Sequence, residues 1–335
     1  MDRMKQPLEK YRWPLLVIGL IVLIALPFLI HSDYWRGVIT KMMMYVLIVS
    51  SMNVINGYSG QFTVAQAAFV GIGAYTAGLM MTRWEVSFWI AMVAAGILAS
   101  LLGLFIGLMT RKLSGLYLAM VTLGVAEIVR IIMLNWTELT NGPLGVKGIP
   151  SPSLFGFRLN SSYSMYFLIL AITVMMIFCT YRVIRSKVGR AWISIRENEY
   201  AAASLGIHTV KYKSINLMYG AFWAGIGGAF LAIYYRYIDS TMFGLDENFN
   251  ILAMMIIGGM GTLAGPVAGA ISVNFISEVF RFASEYRMVM YAILIIAMMW
   301  IRPQGLVGSL EGGFRVTKRK KKPPYEVKRG QEGDS

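Results

Sequence analysis

Cysteine occurs once in the 335 residues, at Cys179, and histidine twice, at His31 and His208. One thiol closes no intrachain disulfide, and with two imidazoles it makes no metal-ligand set. The dipeptide Gly-Lys never occurs, so the chain has no GxxxxGK[ST] loop to cradle ATP. No HExxH is present, and Glu127 and Glu278 are the few acids inside apolar runs. An intramembrane enzyme is thereby disfavoured, and the chain reads as a non-enzyme without bound cofactor. A proton-driven carrier is disfavoured less strongly, because sodium coupling can use backbone carbonyls alone.

Charge is also scarce, at 14% of residues, against 57% hydrophobic residues and a mean hydropathy of +0.60. Soluble domains do not have this composition. Apolar runs fall at about 14–30, 38–56, 62–82, 86–109, 114–135, 163–181, 214–235, 249–260, 262–279 and 286–302. Several exceed the roughly 18 residues that call for a bilayer. The fold expected is all-α: a polytopic membrane bundle of about 8–10 spans. The first run follows Arg3, Lys5, Lys10 and Arg12 but lacks a small-residue cleavage site, so it reads as a retained span and not a signal peptide.

Net charge is +14, yet Lys and Arg collect in a few loops, which argues for membrane topology and against nucleic acid. They gather in the N-terminal stretch 1–13, at Arg111 and Lys112, across 182–213, and in the tail 311–335. These four places are expected in the cytoplasm. The tail lacks apolar anchors and reads as a disordered basic segment that touches anionic lipid. The loop 136–162, rich in Gly, Pro, Ser and Asn, is expected outside as ordered turns that offer a docking face.

Two stretches interrupt the apolar pattern. Residues 57–78, GYSGQFTVAQAAFVGIGAYTAG, are glycine-punctuated, and Asn56, Ser59, Gln61, Thr63 and Gln66 stand where a lipid-facing helix would have leucine. Residues 256–270 hold Gly258, Gly259, Gly261, Gly265, Gly269 and Pro266. Glycine there either permits close helix packing or breaks the helix. The 31 residues 249–279 are too few for two full crossings at 1.5 Å per residue, so one segment is expected to be short or re-entrant. Paired short or broken helices in two halves point to a transport pathway, because unwound backbone is tolerated only beside a cavity or protein. The likeness of GIGAYTAG to GMGTLAG is too short to prove an internal repeat. Glu127 and Arg130, three apart on one face, are expected to form an ion pair or to line a vestibule.

The segment 182–213 is the longest polar, basic interval between spans, with Glu197 and Glu199 among seven cations. Its middle, Trp192 to Leu205, reads as one helix rich in Ala201, Ala202 and Ala203 and stopped by Gly206, with Trp192 at the membrane interface.

Five stretches in this order carry a family resemblance: 57–78, TLGVAEIVRIIMLNW with LTNGPLGVKGIP at 122–150, RENEYAAASLGI at 196–207, GGMGTLAGPVAGA at 258–270 and IRPQGLVG at 301–308. Over about residues 40–310 the chain resembles the M-type permeases of bacterial branched-chain amino-acid ABC importers, with urea and amide permeases as near relatives. The resemblance implies a subunit of the bacterial inner membrane. Its implied partners are a second permease, as heterodimer or homodimer, two cytoplasmic ATPase subunits carrying ATP and Mg, and a periplasmic solute-binding protein. It implies that 182–213 is the coupling loop, with Arg196, Glu197, Glu199, Ala201, Ala202 and Gly206 acting toward the ATPase. ABC permeases carry Glu-Ala-Ala, three residues, then Gly; here Tyr200 stands at the glutamate position and Glu199 is displaced by one. Asn56, Ser59, Gln61, Thr63, Gln66, Gly258, Gly259 and Gly261 are the expected translocation pathway. The alternatives are an ion-coupled secondary transporter of a small amino acid or amide, an ABC permease for urea or aromatic acids, and, as a third class, a membrane scaffold.

Overall fold

The computed structural model describes residues 23–30, 32–111, 113–154, 157–279, 293, 296, 300 and 305–307. The stretch 1–13, most of the last apolar run and the tail 311–335 lie outside the described residues. Without water, backbone polar groups must be satisfied within the segment, so the apolar runs form helices. The main ones are α1 (Asp33–Asn53), α2 (Gln66–Arg83), α3 (Phe88–Met109), α4 (Gly115–Asn135), α5 (Ser162–Arg185), α6 (Lys187–Glu197), α7 (Glu199–Ser204), α8 (Thr209–Tyr235), α9 (Leu245–Gly258) and α10 (Gly265–Val279). Among the described residues, five are long and apolar enough to cross a membrane: α1 with its π-helical extension Val54–Tyr58, α3, α4, α5 and α8.

Helices α1 and α8 form the centre, while α4 turns Leu116, Tyr117, Met120, Ile128 and Ile132 outward. Packing around α8 relies on backbone-to-backbone approach. A Cβ on Gly73 of α2 would lie 2.1 Å from the Gly225 carbonyl oxygen, and one on Gly228 would lie 1.9 Å from that of Val70. On its other side, a Cβ on Gly225 would lie 2.6 Å from the Ala95 carbonyl oxygen of α3. In lipid no hydrophobic force separates helix–helix from helix–lipid contact, so such close approach supplies the dispersion energy that holds the bundle.

The bundle has a basic end, at the α3–α4 turn and the α5–α8 connection, and an opposite end with the loops after α2, α4 and α8. At the opposite end, β1 (Val146–Lys147) pairs antiparallel with β4 (Tyr237–Ile238), and β2 (Ser153–Leu154) with β3 (Phe157–Arg158), so the described residues of the 136–162 loop include paired strands. Helix α9, of 14 residues, spans only about 21 Å at 1.5 Å per residue and is short of a full crossing, while α10 is described from Gly265 as far as Val279. They fold on each other as an antiparallel pair in which a Cβ on Gly258 would meet the Gly265 carbonyl oxygen at 2.0 Å. The pair returns to the opposite end, where the Tyr34 hydroxyl donates to Glu278.

The connection between α5 and α8 differs from the single helix expected over 192–205. It is two helices broken at Asn198, whose backbone is extended (φ −161°, ψ 111°) and whose Oδ1 accepts the Ala201 amide at 3.0 Å. An asparagine directly after a helix-ending glutamate starts a new helix better than it continues the old one. Trp192 is not at an interface but fully buried, with its indole donating to the Tyr212 carbonyl at 2.9 Å.

Candidate functional site

The two glycine-rich interruptions are true breaks, and they meet. In the first, α1 runs into the π turn Val54–Tyr58, residues 59–65 are non-helical, and α2 begins at Gln66. In the second, α9 stops at Gly258 and α10 starts at Gly265. A Cβ on Gly57 would lie 2.5 Å from the Gly261 nitrogen, so the two turns touch backbone to backbone. Asn53 holds the junction: its Oδ1 accepts the Gly261 amide at 2.8 Å and its Nδ2 donates to the Thr262 carbonyl at 2.8 Å. The end of the chain's described part joins them, with the Leu306 amide donating to the Ile257 carbonyl at 2.9 Å.

A broken helix leaves carbonyls at one end and amides at the other without partners. Here distant side chains supply them. Asn216 of α8 donates to the Val54 carbonyl at 3.0 Å. The Val64 amide finds Thr122 of α4 at 3.0 Å, and the Ala67 amide finds Asn248 of α9 at 2.8 Å. The residues expected along the pathway take part. Asn56 exchanges bonds with Thr63, and Gln61 Nε2 lies within 3.1 Å of the Lys213 carbonyl and the Asn216 side chain, and 2.9 Å from Ser59. Gln66 donates to Ser51 at 2.6 Å and to the Ile48 carbonyl at 3.1 Å. All five are buried within the chain, where they fix the unwound segment. Gly258 and Gly259 are buried and Gly261 is half-buried beside Gly57.

The α6–α7 elbow stands at the basic end. Helix α7 closes with a tight cap: the Ile207 amide donates to the Ala202 carbonyl at 3.1 Å and the Gly206 amide to that of Ala203 at 2.9 Å. The cap needs φ of +84° at Gly206, a conformation glycine adopts without a Cβ penalty. Ala202 is buried, whereas Ala201, Ala203, Ser204 and Gly206 are exposed, and Tyr200 and Leu205 expose 87% and 82% of their surface. Large apolar side chains so exposed on a polar loop mark a contact surface.

Three charged residues of the elbow, Arg196, Glu197 and Glu199, pair locally or with α8. Glu199 Oε2 meets Lys213 Nζ of α8 at 2.6 Å, which gives a physical role to a glutamate one position out of the permease pattern. Lys213 is nearly buried, so this partner neutralises a charge that would be costly alone. Arg196 reaches into the bundle and donates from Nη1 to the Gly57 carbonyl at 2.9 Å, while Nη2 pairs with Glu197 at 3.1 Å. On α4, Glu127 and Arg130 form the expected ion pair, with Nε to Oε1 at 2.9 Å; both are partly exposed, so the pair contributes under about 1 kcal/mol.

Asn53, Thr122, Asn216 and Asn248 belong to the site although they are not among the residues singled out from the sequence. Asn53, Thr122 and Asn216 carry the signal that picks out Asn56, a polar side chain inside an apolar run, whereas Asn248 stands beside Asp246 and Glu247 just before its run and carries no such signal.

Residues 35–299 match the family model described as the branched-chain amino acid transport system permease component. The permease protein LivM of the high-affinity branched-chain amino acid transport system of Escherichia coli (strain K12) is 33% identical, over 87% of this chain and 74% of its own length. LivH of Salmonella typhimurium (strain LT2) is 27% identical over 80% of this chain and 92% of its own. A probable LivM of Methanocaldococcus jannaschii is 23% identical over 64% and 68%. No solved structure matches. The chain, with its paired helix breaks and its projecting elbow, belongs to the family of permease components of branched-chain amino acid transport systems.

Proposed function

We propose that this chain is a permease subunit of an ATP-driven importer that carries branched-chain amino acids across a bacterial inner membrane. It would pair with a second permease, receive solute from a periplasmic binding protein, and be driven by two cytoplasmic ATPase subunits that hold ATP and Mg. The basic end faces the cytoplasm on this reading, since Lys and Arg concentrate there, and the Lys- and Arg-rich terminal sequences are assigned to the same side. The observation that carries it is the elbow: a capped helix with Tyr200 and Leu205 exposed, standing on basic residues and tied to the membrane breaks. Broken helices alone would suit an ion-coupled carrier equally; an exposed apolar elbow has no use in one. A short helix lying in a groove of an ATPase turns closure of that groove into movement of the attached spans.

The passage on this reading runs beside the unwound backbone at 59–65 and 259–264. Asn56, Ser59, Gln61, Thr63 and Gln66 shape its wall by holding the first break, and Gly258, Gly259 and Gly261 form the second.

Cysteine at Ser204 or Leu205 should crosslink to an ATPase subunit in the assembled importer, whereas cysteine at buried Ala202 should not. Absence of any crosslink from the exposed pair would sink the docking assignment. Gly206→Val should strain the α7 cap by about 1–2 kcal/mol, because a β-branched residue resists positive φ. The expected result is several-fold lower solute-stimulated ATP hydrolysis with normal membrane insertion, read by hydrolysis assays and membrane yield.

A further inference from the structure

Arg196 closes α6, the first helix of the elbow, yet it does not belong to the exposed face that carries Tyr200 and Leu205. Its Nη1 donates to the Gly57 carbonyl, 139 positions earlier in the chain. That carbonyl ends the π turn of α1, where the helix leaves acceptors unpaired and the dipole is negative, so a guanidinium fits both needs. The same Nη1 would sit 2.8 Å from a Cβ on Gly261, and Arg196 Cγ would sit 2.9 Å from one on Gly60. Both breaks therefore present glycine to this one side chain. Neither glycine could carry a side chain without moving it.

We infer that Arg196 is a transmission pin, a positioning residue that makes the two helix breaks move with the elbow, and not a contact to the ATPase. The inference rests on the coupling role proposed above for the elbow. Tilting α6 would pull on the Gly57 carbonyl through a charge-assisted hydrogen bond. Asn53, bonded to Gly261 and Thr262, would carry the same displacement into the second break. Glu197, on the other side of the guanidinium, and the Glu199–Lys213 pair keep the elbow from sliding along α8.

The test uses the complete importer, reconstituted with its binding protein and radiolabelled leucine, and compares Arg196→Gln, Arg196→Lys, Gly261→Ala and the double variant Arg196→Gln with Gly261→Ala. Arg196→Gln should keep its ATPase subunits through purification while leucine uptake and its stimulation of ATP hydrolysis fall at least tenfold. Gly261→Ala should be at least as impaired, because it pushes the guanidinium aside and also strains a backbone held at φ +77°, and the double variant should be no worse than Gly261→Ala alone, as expected of one shared link. Arg196→Lys, which keeps the charge and one donor, should recover part of the stimulation. Wild-type stimulation in Arg196→Gln overturns the inference. Loss of the ATPase subunits also overturns it, because Arg196 would then be a docking contact, and a variant that fails to assemble would make Arg196 a folding residue instead. Leu205→Asp, outside the pin, separates the two levels: it should strip the ATPase subunits, and if it leaves them bound, the docking reading fails whatever Arg196→Gln does.

Discussion

Gly228→Leu should abolish the folded protein, whereas Gly124→Ala should leave it intact or slightly steadier. The contrast is between two glycines in membrane helices that differ only in what faces them. A Cβ on Gly228 of α8 would lie 1.9 Å from the Val70 carbonyl oxygen and 2.8 Å from the Ala74 nitrogen of α2. Backbone cannot rotate away as a side chain does, so the two helices must separate. One turn earlier the same pair touches at Gly73 and Gly225, so separation opens the whole crossing. Overpacking typically costs about 1–3 kcal/mol and more where backbone must give way, as here, a large share of the roughly 5–15 kcal/mol that keeps a domain folded. Gly124 of α4 has nothing within 4 Å of an added Cβ. Alanine there removes backbone freedom from the unfolded chain and gains up to about 1 kcal/mol. Yield of monodisperse protein on size exclusion, with thermal midpoints in detergent, checks both. Equal yields from the two variants would contradict the packing described for α2 and α8.

The spans were legible in the sequence because hydropathy is a local property: the runs at about 38–56, 86–109, 114–135, 163–181 and 214–235 correspond to α1, α3, α4, α5 and α8. The two breaks were legible for a similar reason, since side-chain amides and clustered glycines interrupt the continuous apolar surface that a lipid-facing helix requires. That one of the two segments, α9, is short follows from counting 31 residues against a bilayer, a count that does not say which segment it is. What the sequence did not carry is the joining of distant parts. Asn53 and Gly261 are 208 positions apart and Arg196 and Gly57 are 139 apart, and no periodicity records such a pairing. For Arg196 and Trp192, residue type suggested water or interface. Helix α6 instead lies against the bundle, burying Trp192 and bringing Arg196 to the Gly57 carbonyl. For the polar residues 56–66, the same chemistry serves a solute passage or an internal brace, and only geometry shows the brace.

Asn53→Ala should loosen the second break without disturbing the outer helices. The side chain is buried and makes two bonds at 2.8 Å, as acceptor from the Gly261 amide and donor to the Thr262 carbonyl. Both partners sit in a turn where no helical bond can replace them, so the truncation leaves a donor and an acceptor unsatisfied. With the junction half-buried, the cost is about 1–3 kcal/mol. Asn53→Asp should not rescue it, because the second oxygen would face the Thr262 carbonyl where a donor is required. Hydrogen exchange of a peptide covering 256–264 should accelerate in Asn53→Ala, since the Gly261 amide loses its acceptor, while peptides from α3 and α4 keep their rates. Uptake should fall with it, because Gly57 and Gly261 would no longer be held in register. Unchanged exchange at 256–264 would mean that backbone contact at Gly57 alone holds the two breaks together, and that Asn53 is an ordinary buried amide.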